Sequence, residues 1–552
     1  MYNMKSIFIN IVVSVCLGVS FQAIAQTTGE LENVEIEIVK ERKIALPEAE
    51  RKFSKITPHA SEPISPPITY SFKPLNVELP LANLVVKPLK LKKESEPEAK
   101  RGYFSAGYGN FASPYLEAYY TSKRSAKQLV GASAIVDVWA KGPVDDRNSG
   151  NGIYGFSLFG ASFGNTFKTD VNLSYNRSFW HFYGYPQDPA INIEAGNIRQ
   201  HFDRFSLSAT IANGSKSKFV YDLKGGFGYI QDAYAARESD VNLSFSSAYS
   251  LKPTRKVITN ASYQLISRKD VLVEAKPRSL FQAEMLYTIN PIDRLLIDVG
   301  FGVAYENDTL DKDFHFYPKA HARYELTKGV LAKASLSGQM RSVSLHTLTT
   351  ENPWLAPNVL IQHTNEAFVL EAGLEAAFAK NFKAEVGASV ASLRNLYFYT
   401  NDATDQSQFL LSYDDKATER INFYGIIDHA VSKRSVISLR ADWFNYVTDT
   451  LSAAWHRPTY KVALQSTYNF FQKLKLSGGV TFLGGMKAYN FAEAKAVTLE
   501  PAIDFSLRAE YFVSDKLLLF IQGANLLSSD YNLYLNYPVR GAQVRAGFSW
   551  SF

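Results

Sequence analysis

Beyond residue 101 the chain trades apolar for small polar positions step by step. Asp170 to Asn176 sets Val171, Leu173 and Tyr175 on one side and Asp170, Asn172, Ser174 and Asn176 on the other, and Val241 to Ser246 repeats the pattern. A period of two sends successive side chains to opposite faces of a strand, so each strand carries one greasy and one wet face. The last stretch shows it most clearly. Val544, Ala546, Phe548, Trp550 and Phe552 share one face, while Gln543, Arg545, Gly547, Ser549 and Ser551 share the other.

Breakers divide residues 102–552 into about twenty-two such strands, the first near 102–110 and the last at 540–552, with others near 382–399, 456–470, 473–487 and 494–512. Tight turns fall near Gly164, Gly214, Pro253, Pro291, Lys328, Lys380, Lys433, Gln472 and Ser514, at every second connection. The intervening connections include the long segments 139–151, 179–199, 344–362, 400–416 and 529–539. Short turns alternating with long loops characterise barrels of the bacterial outer membrane. The fold this predicts is all-β: a closed antiparallel transmembrane β-barrel, with short periplasmic turns and longer extracellular loops. An even strand number that starts outward returns both termini to the periplasm. Trp139, Trp180, Trp443 and Trp455 then fall near outer strand ends and Trp550 near the inner end of the last strand, as interfacial indoles would, while Trp354 falls in an outside loop.

The first hundred residues read differently. Lys5, an apolar run from Ile7 to Phe21 and Ala23-Ile24-Ala25 have the three-part layout of a secretory signal, which predicts a leader over 1–25. Residues 26–101 carry Pro47, Pro58, Pro63, Pro66, Pro67, Pro74, Pro80, Pro88 and Pro97, a density that blocks helix interiors and sheet ladders alike. This segment is expected to extend into the periplasm. No stretch after the leader offers the about 18 apolar residues a spanning helix needs, so strands must do the crossing.

Composition narrows the chemistry. The one cysteine, Cys16, sits within the leader, so the mature chain can be neither a thiol enzyme nor a disulfide scaffold. A net charge of +6 spread over 552 residues gives no footprint for nucleic acid. Aromatics are abundant, with 32 Tyr and 37 Phe, as a barrel with a lipid face requires. The nine histidines form no metal-ligand spacing. His315 and His321 share a strand face but lie about 20 Å apart. Gly225, Gly226 and Gly228 fall inside a strand and do not precede a helix, so they are expected to relieve packing or bend the strand and not to cradle a phosphate. No catalytic set, cofactor site or metal site is expected, and the chain is not read as an enzyme.

Two stretches resemble TonB-dependent receptors, which import scarce nutrients across the outer membrane. Asn525-Leu526-Leu527, Tyr531, Tyr537-Pro538 and Arg540-Gly541 are similar to the closing motif of those barrels. Asn352-Pro353-Trp354-Leu355 with Pro357, ahead of Glu366, is similar to one of their outside loops. The carboxy-terminal strand with Val544, Phe548, Trp550 and Phe552 resembles the signal read by the barrel-assembly machinery. Val34, Glu35, Ile36, Glu37, Ile38 and Val39 resemble the extended box such receptors offer to TonB, which would add as a strand to a partner sheet. The resemblance breaks at the plug domain, because 26–101 is short and proline-rich for one.

A barrel this wide is normally filled. Its lumen is expected to hold the amino-terminal segment, inward-folded loops or another outer-membrane protein. The loop aromatics Trp180, Phe182, Tyr183, Tyr185 and Trp354 are candidates for extracellular binding, or else form loop cores. The resemblance implies a barrel in the cell outer membrane, surrounded by lipid, that transports or admits a solute. The alternative is a non-transporting subunit or scaffold of an outer-membrane complex for secretion, barrel assembly or nutrient uptake, with its lumen blocked.

Overall fold

The structure is a computed structural model that describes residues 100–552, apart from 124, 126, 188–191, 214–216, 253, 275, 309–310, 380, 433 and 472. The expected leader, the proline-rich segment and the box Val34 to Val39 lie outside the described residues.

Twenty-two strands form one antiparallel sheet. The sheet closes on itself: Gly102–Gly109 pairs with Tyr115–Thr121 on one side and with the last strand, Gln543–Ser551, on the other, with Tyr103 opposite Ser551 and Gly109 opposite Arg545. Closure leaves no edge, the one arrangement in which strands can satisfy every backbone group inside lipid. No helix among the described residues is long and apolar enough to cross a membrane.

Alternation decides which face meets lipid. On the last strand Val544, Phe548 and Trp550 are exposed, whereas Arg545 on the opposite face is 1% exposed. Arg545 pairs with Asp137 at 2.9 Å and lies over the rings of Trp139 and Tyr115. Within the membrane band, greasy residues therefore point outward and charged ones inward. Cross-strand rows give the same answer. The outward row Arg177, Asp203, Gln231, Arg237 and Lys269 is followed two positions along by Tyr175, Phe205, Tyr229, Ser239 and Ser267. Next comes the row Leu173, Leu207, Phe227, Val241 and Leu265, and the inner strand ends bring Phe167, Phe219 and Tyr249. Each strand thus passes from charge through an apolar band to an aromatic girdle, the profile of a bilayer crossing.

Connections alternate as the sequence predicts, but details differ. Pro291 lies inside the strand Arg278–Ile292, and the turn falls after it, at Asp293 and Arg294. The register shifts between Ile289 and Ile292, a bulge that accommodates the missing proline N–H. At Lys328-Gly329, Gly329 holds φ +87°, and an added Cβ would stand 2.6 Å from the Ala377 carbonyl oxygen.

Three expected strands were too long. The stretch 382–399 ends as a wall strand at Arg394, after which Tyr397–Asn401 pairs with Phe409–Tyr413 outside the barrel wall. Likewise 473–487 and 494–512 contribute the wall strands Leu474–Gly484 and Ala502–Phe512, while Lys487–Asn490 and Lys495–Thr498 form a separate hairpin. These segments are extended like the wall but do not share its two-faced pattern: the adjacent Phe398 and Tyr399 are both buried, because this hairpin is packed within the loops. The interfacial reading of the tryptophans holds only for Trp443 and Trp550, which are exposed. Trp354 and Trp455 are buried in loops, Trp180 packs against Trp354, and Trp139 carries the Arg545 guanidinium 4.4 Å from its ring centre.

Candidate functional site

The long connections fold together over one end of the barrel. The one α-helix among their described residues, Leu345–Glu351, begins where Ser344 accepts a hydrogen bond from the Thr347 N–H at 3.1 Å. Its free N–H groups at Leu345 and His346 donate to the Glu238 carboxylate, supplied by the wall strand Arg237–Lys252 at 2.9 and 3.3 Å. A carboxylate there satisfies orphan donors and faces the positive end of the helix. So anchored, the helix buries Leu345 and Leu348.

Around it lies a continuous aromatic and aliphatic core that includes Phe182, Trp354, Tyr399, Phe409 and Tyr537. Trp354 occupies the middle. Its ring centre is 3.9 Å from that of Tyr537, 5.7 Å from Tyr183 and 5.8 Å from both Trp180 and Tyr534, and its Nε1–H donates to the His181 carbonyl at 2.8 Å. Tyr537 also donates its hydroxyl to the Ser407 carbonyl and packs against Phe409. These residues come from connections rooted after the fifth, thirteenth, fifteenth and twenty-first wall strands. Loops rooted so far apart on a ring can meet only across its opening. The outer mouth is therefore capped by its own loops.

Polar contacts lock the core. His456 places Nδ1 2.7 Å from the Tyr399 carbonyl, while its Nε2 accepts the Leu535 N–H at 3.2 Å, so one imidazole ties three connections together. Burial pulls its pKa down to about 4. Beside it Arg457 donates to Glu351 at 2.7 Å and to the Tyr397 carbonyl at 2.9 Å, and Tyr534 donates to the Glu351 carbonyl at 3.1 Å. At the base of the cap, the Val343 N–H donates to His363 Nδ1 at 3.1 Å, and burial pulls that imidazole too down to about 4.

The closing motif has a mechanical meaning. Asn525, at φ 44°, donates through Nδ2 to the carbonyls of Ser529 and Arg540 at 3.0 and 2.8 Å and accepts the Ser529 N–H at 3.0 Å. Arg540 in turn reaches the Lys141 and Ser149 carbonyls and the Asn151 side chain. Together they pin the last connection to the one between Trp139 and Asn151, which presents Tyr537 to Trp354.

Beneath the helix lies a cavity of about 520 Å³, lined by Trp139, Trp180, Asn176, Arg204, His346 and Thr349 among others. Arg204 donates to Ser178 at 2.7 Å and to Thr349 at 3.1 Å, its buried Nε has no acceptor, and no carboxylate pairs with it among the described residues. A partly buried guanidinium without a counterion favours an anion in the space beside it.

Trp180, Phe182, Tyr183 and Trp354 thus sit in the loop core, and Tyr185 lies at its rim, hydrogen-bonded to Asp145 at 2.7 Å and Asn148 at 3.1 Å. Val544, Phe548, Trp550 and Phe552 are exposed on the outer face of the closing strand. Sequence reasoning missed Tyr399, Phe409, Tyr534, His456 and Arg204. Each stands alone in the sequence, and only folding brings them together.

No family model matches the sequence, and no curated protein matches it. Solved structures do. The chain superposes on the ferric-catecholate import receptor Fiu of Escherichia coli K12 with a TM-score of 0.63 and 10% identity, covering 82% of each chain. The FrpB iron transporter of Neisseria meningitidis gives 0.64 and 10%, covering 82% of this chain and 81% of that one. The ferripyoverdine receptor of Pseudomonas aeruginosa gives 0.62 and 12%, covering 83% and 72%. With identity so low the match speaks for the fold. This chain has the closed 22-strand barrel fold of the TonB-dependent outer-membrane receptors.

Proposed function

We propose that this barrel admits a solute across the outer membrane, with the loop cap as its outer gate and the cavity at Arg204 as the first site beneath it. The cap carries the reading: it closes the mouth through non-covalent contacts between separate loops, which can part without disturbing the wall. Arg204, beside Trp139, Trp180 and His346, suits a solute with an anionic group and a flat apolar part. The neighbours described as an import receptor and an iron transporter support uptake as the direction. The segment Val34 to Val39 would give TonB a strand to pair with from the periplasm, and the terminal strand ending at Phe552 would be read by the assembly machinery.

The continuity of the core over the mouth favours a second reading, a scaffold whose lumen stays blocked. Planar-bilayer recordings separate the two. The gate reading expects the mature chain to be silent, with conductance appearing once Trp354→Ala loosens the cap, alone or in a chain lacking residues 26–100. Silence in every form supports the scaffold. Substitution Arg204→Gln should leave the wall intact and change anion selectivity; unchanged selectivity would remove Arg204 from the solute path.

A further inference from the structure

Outside the cap, a second cluster of side chains lines the wet face near the outer end of one hairpin. The strands Leu295–Asp308 and Asp311–Thr327 pair so that Glu306 lies opposite Asp313 and Ala304 opposite His315. One ligand atom from each of Glu306, Asp313 and His315 lies within 4.8 Å of the others. His315 Nε2 and Glu306 Oε1 are 3.6 Å apart, too far for a good hydrogen bond and close to the separation of two ligands that each reach one ion at about 2.0–2.2 Å.

Two features point to an ion between them. Glu306 Oε2 and His315 Nε2 are both buried, and neither has a hydrogen-bond partner. Buried polar atoms are seldom left unmatched, because each has given up water for nothing. The Glu306 and His315 side chains are only 12% and 18% exposed, whereas Asp313 is exposed, so the cluster opens to solvent on one side. Behind the imidazole stands an outer shell: Tyr317 donates to Asn365 Oδ1 at 2.9 Å, and Asn365 Nδ2 lies 3.2 Å from His315 Nδ1. After a half-turn of the Asn365 amide, His315 Nδ1–H donates to Oδ1 and Nδ2–H donates to the Tyr317 hydroxyl, which frees the Nε2 lone pair toward the ion, the arrangement that metal-bound imidazoles usually adopt.

We propose that Glu306, Asp313 and His315 bind one divalent first-row transition-metal ion, with water completing its coordination. One imidazole and two carboxylates suit zinc, iron or manganese, whereas calcium and magnesium take oxygen ligands and copper(I) takes sulfur. The spacing of histidines along the chain conceals this site, since two of its three ligands are carboxylates and one lies across the hairpin.

The test uses the untagged full-length protein in detergent, stripped with a chelator, reloaded with Zn²⁺, washed and analysed by metal mass spectrometry. The expected result is one Zn²⁺ per chain, lost to background in Glu306→Gln and His315→Gln, with affinity about 10–100-fold weaker in Asn365→Leu. Heat-modifiable gel mobility confirms that each variant keeps its barrel. Asp313→Asn, at an exposed position that burdens the fold least, should also lower occupancy. No Zn²⁺ above the stripped control, or occupancy unchanged by both His315→Gln and Asp313→Asn, overturns the proposal.

Discussion

The rings of Trp354 and Tyr537 stack with centres 3.9 Å apart and planes inclined by 32°. The two residues lie in different connections, each within a stretch that resembles the receptor family, and their contact is where those stretches meet. The helix-bearing loop supplies the indole, and the Asn525–Arg540 clasp holds the phenol against it. Both resemblances therefore report on one object, the cap.

Removing the centre of the cap should cost what a buried aromatic costs. Trp354→Ala is expected to destabilise the loop assembly by about 3–5 kcal/mol while the wall survives. Limited proteolysis would show faster cleavage within 342–363, 395–417 and 525–542 together, with unchanged heat-modifiable mobility. Cleavage confined to the mutated loop would mean that the loops do not share a core.

Acid should loosen the cap. His456 uses Nδ1–H as a donor and Nε2 as an acceptor, so only its neutral form fits, and a proton on Nε2 would face the Leu535 N–H. Its pKa is about 4 in the closed cap against an ordinary value near 6.5, so the opened state binds more protons below about pH 6.5. The stabilisation is complete above that pH and is lost as pH falls toward 4, on the order of 3 kcal/mol in all. His363, also held neutral, adds in the same sense. Hydrogen exchange of the cap amides should accelerate across that window and respond less in His456→Gln. A flat profile in the parent protein would refute the assignment.

Lipid contact predicts an asymmetry between neighbouring residues. Leu207 points outward and Ser208 inward on the strand Arg199–Asn213. Leu207→Arg should cost about 2–4 kcal/mol near the bilayer midplane, whereas Ser208→Arg should cost far less because its head reaches the wet lumen. Urea titration of the protein folded into lipid vesicles measures both. Equal costs would place both faces in similar surroundings.

The wall was legible because a barrel repeats one constraint on every strand. Leu173, Leu207 and Phe227 must face lipid, and a one-residue slip would put all of them in water, so the period-two signal is strong. Turn residues such as Gly329 mark the strand ends. Where the pattern misled, at 394–399 and 487–498, a hairpin in a loop continued directly from a wall strand with further apolar residues. Pro291 misled for the opposite reason, since a bulge let a strand continue through a residue that usually ends one.

The cap was legible only in its anchors. Trp180, Tyr183, Trp354 and Tyr537 stood out as aromatics beside prolines and glycines. Nothing in the neighbourhood of His456, Tyr399 or Arg204 marks them, because their partners come from distant loops and no short-range period relates them. The cluster at Glu306, Asp313 and His315 escaped for the same reason. Its geometry belongs to the register of a hairpin, which the sequence leaves uncertain by a residue or two.

The closure of the mouth can be tested in living cells, because the only cysteine of the sequence, Cys16, falls in the stretch 1–25 that the sequence predicts to be a leader, and Cys16→Ala removes it if it is retained. A single cysteine is placed on the lumen wall at Gln465, next to the outward-facing Leu464, and a bulky membrane-impermeant maleimide is added from outside. The account predicts no reaction while the cap is intact and labelling once Trp354→Ala is introduced alongside. Labelling at the same rate with and without Trp354 would show that the loops leave the mouth open.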